Sequence, residues 1–183
     1  MGANSFAEFV ASQQTSNADS QADWAASRDE WIKDLDLLHA RIADFLRDYV
    51  SDGTISYSFV KVTLTEEYIG SYSANRMDIK IGRQRVSLEP VGTLFIGCKG
   101  RVDAVGSAGR AQILLINERA KSAADLIQVT VSVGSKGRAP VPPPPRADDI
   151  SWAWKIVTNT ARRQFVDLGK EAFYALLMEV SNA

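Results

Sequence analysis

The chain has 183 residues, of which 45% are hydrophobic and 23% charged, with a formal net charge of −1. That balance excludes a collagen-like or wholly disordered chain, and the single cysteine, Cys98, excludes an intramolecular disulfide and fits a reducing compartment. The near-neutral total conceals an asymmetry: residues 1–52 hold ten acids and four bases, residues 53–183 seventeen bases and twelve acids. An acidic arm therefore meets a mildly basic body, and the two can attract one another.

Residues 1–18 are polar and rich in Ser, Asn, Gln and Ala. They are expected to form a tail, with at most one short helix around Phe6 to Val10. No basic stretch followed by an apolar one marks a secretory signal. The longest apolar run, Ala172 to Met178, is far shorter than the roughly 20 residues that span a bilayer. The expectation is a cytoplasmic, bacterial protein with no membrane partner.

Residues 19–52 follow without Gly or Pro until Gly53 and read as one long amphipathic helix. Trp24, Trp31, Leu35, Leu38, Ile42, Phe45 and Tyr49 recur at heptad spacing, broken only by Arg28. Leu37, Leu46 and Val50 widen the stripe at its lower end, whereas the stripe from Trp24 to Trp31 is narrow. The helix is therefore expected to outrun its own core there and to offer Trp24, Arg28, Trp31 and Leu35 to a partner or a second copy.

After Gly53 the apolar period changes from helical to two. Ile55 to Leu64 reads as a strand with Val60, Val62 and Leu64 on one face. In Arg76 to Ile81, Met77, Ile79 and Ile81 point inward and Arg76, Asp78 and Lys80 outward. Gly82-Arg83 supplies a tight turn into Arg85 to Glu89. Thr93 to Ile96 and Arg101 to Val105 are further strands, and Gly106 to Gly109 a second hairpin turn. Ala111 to Ile116 is apolar on both faces, as a central strand is, and Ile127 to Val133 alternates. The proline-rich stretch 139–146 is a stiff surface loop or a ligand motif for an aromatic groove. Trp152, Trp154 and Ile156 share a strand face, Gln164 to Val166 is a short strand, and Gly169 to Val180 closes the chain as a helix.

The expected architecture is α+β: a long N-terminal helix, then one globular unit, residues 53–183, made of an antiparallel meander of about seven strands and a C-terminal helix packed on it. Short turns leave no room for crossover helices, which excludes a doubly wound parallel sheet.

Chemistry-bearing residues are sparse. His39 is the only histidine and Cys98 the only cysteine, so a structural zinc site lacks ligands and no metal or cofactor is expected. Gly92 to Lys99 lacks the Lys-Ser/Thr placement of a phosphate loop. Gly97-Cys98-Lys99-Gly100 has the form of an RNA-clamping loop but lies between strands, where a glycine hairpin with two positive φ angles is the simpler account. Asp78 and Lys80 share a strand face and, with Glu66 or Glu67, would form a Mg²⁺-dependent nuclease centre or another phosphoryl-handling site. Arg76, Lys80, Arg85, Lys99 and Arg101, with Arg162-Arg163 in support, would form a basic sheet face for nucleic acid. The leading expectation remains a non-catalytic interaction or regulatory subunit.

Overall fold

The computed structural model describes residues 3–93, 97–126, 151–158 and 164–181, with the backbone alone for residues 3–22 and 124. The expected strand at 127–133, the proline-rich stretch, most of the expected strand at 93–96, and Arg162-Arg163 lie outside the described residues.

Helix α1 runs from Ala3 to Phe45. It starts sixteen residues before the expected helix start at residue 19, so the segment expected as a tail is helical from Ala3 onward, because that Ala-, Ser- and Gln-rich stretch contains no helix breaker after Gly2. A second helix, α2 (Arg47–Ser51), continues from it after a break at Leu46. Hydrogen bonds from Leu46 N to Ile42 O and from Val50 N to Leu46 O bridge that break. Gly53 then ends the helical run at φ +80°.

Among the described residues seven strands follow: β1 (Ile55–Glu66), β2 (Gly70–Ile81), β3 (Gln84–Gly92), β4 (Cys98–Val105), β5 (Arg110–Asn117), β6 (Trp152–Val157) and β7 (Phe165–Asp167). Each pairs antiparallel with its neighbour in sequence, in the order β1-β2-β3-β4-β5-β6-β7. Helix α3 (Lys170–Ser181) closes the chain. Both helices cover one sheet face in a single core, built from Trp31, Leu35, Leu38, Ile42 and Leu46 of α1 and its break, Phe173, Leu176, Leu177 and Val180 of α3, and the inward residues of the sheet. The fold is thus the expected α+β architecture.

Two details depart from simple alternation. In β2 the buried residues are Met77 and Ile79 at one end but Tyr72 and Ala74 at the other. The paired strand carries the same switch: Tyr57 and Phe59 lie opposite Ile79 and Met77, Val62 and Leu64 opposite Ala74 and Tyr72. Val60 therefore does not share a buried face with Val62 and Leu64, and it is exposed. In β4 a register shift between Cys98 and Gly100 displaces Lys99. Lys99 does not line up with Arg101 and Asp103 but bonds Glu30 and Asp34 of α1, at 2.7 and 3.0 Å. The acidic arm and the basic body meet there, and again where Lys170 approaches Asp48 at 3.6 Å.

Gly97 has a positive φ of 71°, but Gly100 is not among the positive-φ glycines. Gly100 is glycine for a different reason: the Trp31 ring lies flat on it, and a Cβ would overlap that ring.

Candidate interaction surface

The apolar spacing that buries one side of α1 also defines the side it leaves out. Opposite Trp31, Leu35, Leu38 and Ile42 stand Lys33, Asp36, Leu37, Ala40, Asp44 and Arg47, all exposed or half-exposed. Leu37 is 58% exposed. Beside this helix runs β1, first in the sheet order, so that one edge of its twelve residues has no neighbouring strand among the described residues. Tyr57, Phe59 and Val60 are exposed on that strand, and Tyr49 and Val50 on α2 beside it. Six of the eleven large hydrophobics exposed among the described residues therefore lie on α1, α2 and β1. Concentration of this kind is what marks interaction surfaces, since scattered single residues need no explanation.

Between helix and strand lies a groove of about 440 Å³ lined by Ala40, Ala43, Asp44, Arg47, Val50, Ser51 and Tyr57. Its floor is low because the helix contributes alanines. The Tyr57 and Phe59 rings meet edge to face at 5.7 Å. Phe59 in turn covers His39, with ring centroids 5.4 Å apart. His39 is 3% exposed and neither ring nitrogen has a hydrogen-bond partner among the described residues. Burial lowers its pKa to about 4 against the weaker, raising influence of Asp36, so the imidazole is neutral at pH 7.

The residues expected to meet a partner are divided by the structure. Trp31 and Leu35 lie wholly inside the core, with the Trp31 ring 6.1 Å from that of Trp154. Trp24 is half-buried and stacks on Tyr68 of the β1–β2 turn at 5.3 Å. Arg28 pairs with its neighbour Asp29 at 2.8 Å. The accessible surface of this helix is thus the side opposite the tryptophan seam. One signal for it was present in the sequence: in Tyr57, Phe59, Val60, Val62 and Leu64 both faces of one strand are apolar, which suits a strand with more than one surface to cover.

The carboxylates considered for a nuclease are spread along the first hairpin. Asp78 accepts hydrogen bonds from Arg76 Nε and Nη2, both at 2.8 Å. Burial alone would raise its carboxyl, but Arg76, Ser87 and the charge of Arg85 hold it below the ordinary carboxylate range. Glu66 lies eight strand positions from Ser58, the residue opposite Asp78, or roughly 26 Å away. It is buried, accepting from Thr93 N at 2.8 Å, Thr93 Oγ1 at 2.9 Å and the Tyr72 hydroxyl. Glu67 is exposed in the turn beyond it. Among the described residues no three His, Cys, Asp or Glu side chains gather as metal ligands do.

The expected basic face is largely neutralised from within. Arg76 is bound to Asp78, and Arg101 and Arg110 both reach Asp103, which is 1% exposed. Lys99 has crossed to the helix side. Lys80 and Arg85 remain, opposite one another on β2 and β3, and line a 170 Å³ hollow with Ser56, Ser58 and Asp78. Cys98 is buried, its Sγ 2.8 Å from Gly100 O, and burial raises the thiol pKa. Among the described residues no helix is long and apolar enough to cross a membrane.

No protein-family model, curated protein or solved structure matches this chain.

Proposed function

We propose that the chain is a non-catalytic interaction or regulatory protein whose partner-binding element is the N-terminal helix together with the edge strand beside it. The observation that carries this is the open groove where Val50 and Tyr57 are exposed beside Ala40 and Ala43, along a strand edge that has no partner among the described residues, with Leu37 exposed on the same helix. Edge strands with exposed apolar residues pair with other chains unless they are covered or charged, and β1 carries one charge, Lys61, between its ends. The internal pairing of Asp78, Asp103 and their arginines supports a structural role for those charges. A cytoplasmic setting is supported by the lone, buried thiol of Cys98.

The test uses the tagged full chain as bait in the cells that express it, beside Leu37→Asp and Tyr57→Asp. Both residues are exposed, so thermal midpoints should barely move. Each variant should retain about one-tenth of the partner held by the original chain, as loss of an anchor contact does. Capture of the same partners in the same amounts by both variants would sink the proposal.

A further inference from the structure

We infer that the partner seated in the groove between α1 and β1 is a second copy of this chain, its α1 lying antiparallel to the first. This rests on the interaction reading above and names the occupant of that surface.

Away from the tryptophan seam, the helical run carries a second ordered row of side chains. Lys33, Asp36, Ala40, the half-buried Ala43 and, past the break at Leu46, Arg47 and Val50 of α2 follow one another at spacings of 3, 4, 3, 4 and 3, the spacing of a second seam. A two-fold axis crossing the helix between Arg41 and Ile42 brings Ala40 of one copy onto Ala43 of the other. It also places Asp36 opposite Arg47, twice over by symmetry. The charges of this face are thus complementary to themselves when the helix is reversed. A centre at Ala40, by contrast, sets Asp36 against Asp44 and Lys33 against Arg47.

Shape agrees with charge. Alanines at the crossing let two helix axes approach to about 8 Å, the short end of the packing range. The groove is already open on the side of Ala40 and Ala43, with Tyr57 and Val50 along its flank. In the reversed arrangement Val50 on that flank meets the stem of Lys33 from the other copy. Arg47 is free to change partner, because its present contact is with Asp44 one turn away on the surface. An isologous contact of this kind closes on itself and leaves no open end to propagate.

The experiment is sedimentation velocity on the full chain from low micromolar to a few hundred micromolar, with three variants: Asp36→Arg, Arg47→Asp and the double exchange. The original chain should dimerise. Each single exchange turns two attractive pairs repulsive and should weaken the dimer by about tenfold or more. The double exchange restores opposite charges and should recover most of the original affinity. Circular dichroism of each variant confirms that the helix persists. A monomer at every concentration overturns the second-copy inference, and the interaction reading then stands or falls on its own capture test. A dimer that ignores the single exchanges, or that the double exchange does not rescue, also overturns the proposed antiparallel seat. Loss of capture by Leu37→Asp in a strictly monomeric chain would assign the surface to a different protein.

Discussion

His39 shows how one side chain can tie stability to acidity. Its ordinary pKa of 6.5 falls to about 4 on folding, because burial disfavours the imidazolium. The unfolded chain therefore binds the proton more tightly, and stability is lost as pH drops from about 6.5 towards 4. The full loss from this residue is about 3 kcal/mol. His39→Leu should flatten that part of the pH profile in urea unfolding, the carboxylates contributing equally to both proteins. An unchanged slope would mean that the imidazole is hydrated in solution. Gly100→Ala tests a packing contact of the same scale. The Trp31 ring must shift to admit the methyl, and a loss of about 1–3 kcal/mol is expected. Trp31 was legible as apolar from its heptad position, but Gly100 was not legible as its floor, because nothing local announces a neighbour sixty-nine positions away. The same holds for Glu66, whose buried carboxylate is held by Thr93.

Among the elements, α3 was the most legible, since Phe173, Leu176, Leu177 and Val180 are spaced as a helix face and all are buried. Phe173→Ala should cost about 3–5 kcal/mol in chemical denaturation. β2 was legible only in part. Arg76 to Ile81 alternates cleanly, but the inward set changes parity before Arg76, so Tyr72 and Ala74 do not continue the period of Met77 and Ile79. The bulge in β4 was likewise invisible, because a register shift depends on the partner strand and not on the residues that shift. Its effect is measurable. Lys99 and Asp34 are about one-fifth exposed, and both burial of Asp34 and the double pairing make Lys99 hard to replace. Burial alone would depress the Lys99 ammonium, yet Glu30 and Asp34 raise its pKa above the usual lysine value. Lys99→Met should destabilise by about 1–3 kcal/mol. Glu30→Gln, at the more exposed partner, should cost under about 1 kcal/mol. Equal costs would show that the bulge does not direct Lys99 as described.

At the scale of the whole molecule, the order of the described strands in the sheet repeats their order in sequence. The N-terminal helix reaches far ahead: to Lys99 in β4, to Trp154 in β6, and to α3, where the Tyr174 hydroxyl donates to Phe45 O at 2.6 Å. Docking of that helix should loosen modestly as salt rises, read as faster amide exchange over residues 24–50, because ion pairs with Lys99 and Lys170 join it to the body. The meander was legible from its turns and alternation, but the burial of Trp31 and Leu35 under the sheet, where a partner was expected, was not. On the ribosome this order has a cost. Each hairpin can close as soon as its second strand emerges, while α1, made first, must wait for about fifty further residues before Lys99 appears, or roughly 3–10 s at ordinary elongation rates. Throughout that interval an acidic, tryptophan-bearing helix stands without its cover, which makes the nascent chain, more than the finished protein, the form most in need of a chaperone.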